Sequence, residues 1–151
     1  MAKGRQVALT KLEGEVMRAV WNAEPNPVRV RDVAEALNAR RRTPLAYNTV
    51  QTMLTILRDK RIVQVVPGSG RAHLYRAQIS RSHASTSAIR ELIDRMFNGR
   101  VQPLIHQLID ESELTAEELA SLRQWVDAKL RDAKPHDAQP HQAKSRRERE
   151  P

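Results

Sequence analysis

Apolar residues recur along this chain at the three-and-four spacing of helices with one buried stripe, interrupted once by a different period. Leu12, Val16, Met17, Val20 and Trp21 form the first stripe, Val30, Val33, Ala34 and Leu37 the second, and Val50, Met53, Leu54 and Leu57 the third. Thr10 with Glu13 has capping-box spacing and starts the first helix, which the stripe carries to about Trp21. Glu24-Pro25-Asn26-Pro27 ends it, because proline removes a backbone donor and biases its predecessor away from helix. The second helix runs from about Val30 to Ala39, with Arg29 where a capping side chain is expected. Arg40 to Pro44 is a polar, basic connection into a third helix spanning Leu45 to Arg61.

The third helix divides its faces unusually. Opposite its apolar stripe stand Asn48, Thr49, Gln51, Thr52 and Thr55, short and almost uncharged, where an ordinary solvated face carries Glu and Lys. Such side chains both donate and accept hydrogen bonds, so they suit close approach to base edges in a DNA groove as well as a Thr-rich solvent face.

After Arg61 the period changes. Ile62 to Val66 is β-prone, Pro67-Gly68-Ser69-Gly70 supplies a turn, and Arg71 to Arg76 runs back as a second strand. Three short helices followed by a hairpin give a winged helix-turn-helix, with Arg71 at the wing tip placed to meet phosphate or simply solvent. Three further stripes follow: Ile89, Leu92, Ile93, Met96 and Phe97; then, past Asn98-Gly99, Val101, Leu104, Ile105, Leu108 and Ile109; then Leu119, Leu122, Val126 and Leu130 with Trp125 beside them. Thr115 with Glu118 is a second capping box, with Leu114 and Leu119 at staple positions. So much apolar surface on three helices points to burial between two copies, with Ile89, Leu92, Ile93, Met96, Phe97, Leu104, Ile105, Leu108, Leu119, Leu122 and Val126 as the dimerisation residues. The fold class expected is mainly α with a small β-hairpin wing. Its domains are a flexible arm (1–8), a winged-helix domain (9–79), a three-helix dimerisation domain (80–132) and a disordered tail (133–151).

Charge sharpens this division. Of the net +8, residues 1–80 hold 14 Lys and Arg against 6 Asp and Glu, residues 81–132 hold 7 against 9, and residues 133–151 hold 5 against 3. The basic excess accompanies the third helix and implies a polyanion partner, since cations that neutralise phosphates release counterions. Aromatic residues make up only 3% of the chain, so aliphatic packing must build the core, and the absence of Cys removes disulfides and thiolate sites. The N-terminus lacks a signal-peptide h-region and no apolar run approaches about 20 residues, which predicts a cytoplasmic protein with no membrane insertion. No phosphate loop, metalloprotease motif, nucleophile elbow or paired carboxylates are present, and His73 and His106 stand alone. A non-enzyme without metal or other cofactor is expected.

Five segments in this order carry a resemblance: LTKLEGEVMRAVW (9–21), VRDVAEALN (30–38), AYNTVQTMLTILRDKRIV (46–63), GRAHLYRA (70–77) and LTAEELASLRQWVDAKL (114–130). The chain resembles the BlaI/MecI/CopY-type penicillinase repressors, bacterial winged-helix regulators with a helical dimerisation domain. The resemblance implies a homodimer that binds a roughly palindromic double-stranded DNA operator and blocks transcription. It assigns base reading to Asn48, Thr49, Gln51 and Thr52. Phosphate contacts are expected from Arg40, Arg41, Arg42, Thr55, Arg58, Lys60 and Arg71. Antibiotic-responsive members are cut by a sensor protease at an Asn-Phe bond, where this chain has Gln107-Leu108. Copper-responsive members use a cysteine cluster that this chain lacks. Arg61 stands where relatives often have Gly. The alternative class is a winged-helix protein-interaction module without operator-specific DNA binding.

Overall fold

The structure, a computed structural model, describes residues 6–133. In these the chain forms α1 (Lys11–Ala23), α2 (Val30–Asn38), α3 (Tyr47–Asp59), β1 (Val63–Val66), β2 (Leu74–Ala77), α4 (Arg81–Phe97), α5 (Val101–Glu111) and α6 (Ala116–Asp132). It is mainly helical with one antiparallel hairpin, a winged helix-turn-helix followed by further helices. Two compact units divide between Leu104 and Ile105, within α5.

The first unit has an aliphatic core to which each predicted stripe contributes. Val16, Met17 and Val20 of α1, Val30, Val33 and Ala34 of α2, and Val50, Leu54 and Leu57 of α3 are buried together with Ile62, Val63 and Tyr75. Thr10 and Glu13 form the expected capping box on α1. At α2 the Arg29 side chain has no acceptor to offer, so only the return half of a box exists: Asp32 Oδ2 accepts the Arg29 N–H at 2.9 Å.

The third helix is shorter than its sequence suggests. Asn38 brackets Leu45, accepting its N–H at 2.7 Å and donating to its carbonyl at 3.1 Å, which holds Leu45 outside the helix. At the other end Arg61 adopts φ 60°, and a Schellman closure forms: the Ile62 N–H donates to the Leu57 carbonyl at 2.9 Å and the Arg61 N–H to the Arg58 carbonyl at 2.8 Å. Leu57 and Ile62, the apolar pair this motif favours, are both in the core. Gly would hold the left-handed position without the Cβ penalty of about 1–2 kcal/mol that Arg61 carries.

In the hairpin, Val63 faces Ala77 and Val66 faces Leu74. The return strand begins at Leu74 rather than Arg71. Pro67 offers no N–H to a ladder, and Gly70 takes φ 92°, so the tip widens through His73. Val28, in the linker between α1 and α2, adds a third short rung by exchanging N–H···O bonds of 2.9 and 2.8 Å with Tyr75. The sequence between Arg71 and Arg76 did not disclose this partner of Tyr75.

The N-terminal arm was expected to be flexible through residue 8. Instead Val7 is buried in the core, and its N–H donates to the buried Ser87 Oγ at 2.7 Å. The start of α4 is likewise fixed to the winged helix. Ser80 caps it by accepting from the His83 N–H, Ala84 joins the core, Trp21 Nε1 donates to the Ile79 carbonyl at 2.8 Å, and the Arg81 guanidinium lies 5.8 Å from the Trp21 ring centre. Asn98, in the left-handed region at φ 51°, ends α4.

The second unit contains the rest of α5 and α6. The Thr115 box caps α6, with Glu118 Oε2 accepting the Thr115 N–H at 2.8 Å and Thr115 Oγ1 accepting the Glu118 N–H at 3.2 Å. Neither helix has a buried residue. Beyond Ala133 the expected disordered tail lies outside the described residues.

Candidate nucleic-acid interface

At about 100° per residue around α3, the buried Val50, Leu54 and Leu57 occupy one arc and Met53 flanks them, half-buried. Asn48, Gln51 and Thr52 are exposed on the opposite arc, with Thr55 half-buried between them and Arg58 exposed further along. Thr49 lies at one margin of this face and is half-buried. Thr52 and Thr55 each donate their hydroxyl to the carbonyl four residues back, at 2.8 and 3.0 Å. Those donors are internally used, which leaves the two Thr side chains an oxygen acceptor and a methyl to present outward.

Tyr47 was absent from the sequence-derived set. It is the first residue of α3, is 53% exposed, and lies at the other margin of the face, in line with Gln51 and Arg58. The signal was present in its position one turn before Gln51, but an aromatic residue at the edge of an apolar stripe reads as core.

The expected cations separate into two groups. Arg40, Arg42 and Arg71 are exposed, and among the described residues none has an ion-pair partner. Arg58 is exposed and pairs locally with Asp59 at 3.1 Å. Arg41 and Lys60 are engaged within the fold. Arg41 is ion-paired with Glu15 of α1. Lys60 Nζ donates to both carboxylate oxygens of Glu13 at 2.9 Å. The Glu13 side chain is only 5% exposed and also accepts the Thr10 N–H, so one buried carboxylate joins the start of α1 to the end of α3. Tertiary pairing across 26 and 47 residues left no local trace in the sequence.

The residues expected to dimerise lie at the surface of each unit. In the first, Ile89, Leu92 and Met96 are exposed, Met96 by 65%, while Ile93, Phe97 and Leu104 are half-buried. In the second, Ile105, Leu108, Leu119, Leu122 and Val126 are exposed, as are Trp125 and Leu130. Gln107 and Leu108 sit within the continuous helix α5. Among the described residues no helix is long and apolar enough to cross a membrane.

Among solved structures, the chain is similar to MepR, a transcription regulator of the Staphylococcus aureus multidrug efflux pump MepA, with 18% identity over 82% of this chain and 79% of that one, at a TM-score of 0.44. It is similar to a MarR point mutant from E. coli, with 18% identity over 81% and 78% of the two chains, at a TM-score of 0.45. A human N-acetylserotonin methyltransferase is matched over only 31% of its length, at 13% identity and a TM-score of 0.35. No curated protein matches at a significant level. The sequence model of the penicillinase repressors matches residues 9–128, from the capping residues of α1 into the last turns of α6. The chain belongs to the penicillinase repressor family.

Proposed function

We propose that the protein is a homodimeric repressor that binds a roughly palindromic DNA operator through α3. The observation that carries this is the face of α3 from Asn48 to Thr55: uncharged, hydrogen-bonding side chains stand outward, while the helix is held from behind by a mostly aliphatic core. An α-helix fits the major groove, where Gln and Asn pair bidentately with adenine and a Thr methyl can meet the thymine methyl. Asn48, Gln51 and Thr52 are the base readers, with Thr49 at the margin. Arg40, Arg42, Arg58 and the wing-tip Arg71 neutralise phosphates on either side, and Thr55 joins them by turning its hydroxyl proton from the Gln51 carbonyl to a phosphate oxygen.

The exposed apolar side chains of α4, α5 and α6 support the dimer. Large apolar residues left at the surface in this number mark an interaction site rather than ordinary surface scatter. A second copy matches the two-fold symmetry of a palindrome. Control by a sensor protease at Gln107-Leu108 would require local unwinding of α5, since proteases cut extended backbone.

Selection of bound duplexes from a random pool, followed by titration of the winning sequence, tests the reading. Gln51→Ala is expected to weaken the selected duplex by roughly 1–3 kcal/mol and relax preference at one or two base pairs, leaving random DNA unaffected. Arg71→Ala is expected to weaken all sequences alike and, by removing one phosphate contact from each protomer, to lower the salt slope by about 2. Equal losses on selected and random DNA for Gln51→Ala refute base reading by α3. If the wild-type protein retains no duplex, a protein-interaction role replaces the repressor reading.

A further inference from the structure

We infer that Tyr47 is a specificity-determining residue, which places its ring against the C5-methyl group of a thymine in the operator. The inference rests on the proposal that α3 enters the major groove. Tyr47 is the first residue of α3, and the N-terminal residues of a recognition helix are those that meet base edges. The residue is 53% exposed and is not among those packed on the core, so burial within the fold does not account for an aromatic residue there. Long side chains on a helix lean back toward its N-terminus, which carries this ring beyond the first turn, ahead of Gln51 one turn later.

The chemistry of the face favours thymine. The other outward residues are dominated by hydrogen-bonding groups, and two of them, Thr52 and Thr55, have their donors turned back onto the helix. Tyr47 is the one large apolar surface on this face, and the C5-methyl of thymine is the one apolar group in the major-groove code. Arg58 lies along the same margin about 16 Å further down the helix axis, where it is placed for a phosphate away from that thymine.

The test uses the full-length protein and a duplex selected from a random pool. Each thymine is replaced in turn by uracil, which removes only the methyl group, and wild type is compared with Tyr47→Ala and Tyr47→Phe. The wild-type protein is expected to lose about four-fold in affinity at one position per half-site, the worth of one buried methyl group. Tyr47→Ala is expected to lose affinity for the thymine duplex and become indifferent to uracil at that same position, whereas Tyr47→Phe keeps the discrimination. Additive penalties at every thymine, with selection itself intact, overturn the assignment of Tyr47 and leave the repressor reading standing. Failure of the wild-type protein to enrich any sequence overturns both.

Discussion

Replacing Lys60 is predicted to harm the fold more than replacing its partner. Lys60→Met removes the cation that donates to both oxygens of Glu13, leaving a carboxylate whose side chain is 5% exposed with only the Thr10 N–H at 3.2 Å. Breaking a buried ion pair from one side costs roughly 3–5 kcal/mol when both charges are sequestered. Here the Lys60 side chain is 42% exposed, so water reaches the pair, and about 2–3 kcal/mol is the appropriate figure. Glu13→Gln is milder, at about 1 kcal/mol: an amide oxygen still accepts the Thr10 N–H, and the freed Lys60 ammonium extends into water. Urea unfolding at one protomer concentration measures both, and a difference of 1–2 kcal/mol separates the midpoints by roughly 0.5–1 M at ordinary m-values. The double variant should fall within about 0.5 kcal/mol of Glu13→Gln alone, because with the carboxylate gone Lys60 has little left to stabilise. Equal costs for the two single variants, or strict additivity in the double, would refute the claim that the stranded charge dominates.

Three further outcomes follow from the geometry. Met96→Asp and Leu108→Asp, at positions 65% and 54% exposed, should each dissociate the proposed dimer in sedimentation measurements; on a free surface such changes stay within about 0.5 kcal/mol and leave the mass unchanged. Arg61→Gly should raise the unfolding free energy by about 0.5–1 kcal/mol, because relief of the left-handed strain at φ 60° exceeds the added chain entropy; a loss would show that Arg61 is unstrained. The Glu118 carboxyl is held below its ordinary range by the hydrogen bond from the Thr115 backbone N–H and then by the Thr115 hydroxyl. Depression means the cap's contribution is present above the ordinary glutamate pKa and is lost as pH falls through the depressed value, so α6 helicity should decline in that acidic window and Glu118→Gln should abolish the decline.

The repeating stripes made much of this fold legible. Val16, Val33 and Leu54 are buried because helical period alone puts them on inward faces, and local capping signals at Thr10 and Thr115 were equally direct. What the sequence hid depends on residues far apart in the chain. Val7 is tied down by Ser87, 80 positions away, so no local pattern distinguishes it from a fraying terminus. Leu45 shows helical periodicity but is held out of α3 by Asn38, seven residues back. In the candidate interface the polar face of α3 was plain, while the distribution of cations was not. Arg40 and Arg41 are neighbours of the same type, and only the position of Glu15 on α1 separates the exposed one from the paired one.

The central claim is that α3 and its flanking cations recognise a particular DNA sequence. The most direct test is to titrate the wild-type protein with its selected duplex and with random DNA as salt rises from roughly 50 to 200 mM. Six or more phosphate contacts across a dimer predict a loss of about 10³-fold or more over that range on both DNAs. The selected duplex should stay at least about 10³-fold tighter throughout. Affinity indifferent to salt and to sequence would contradict the account.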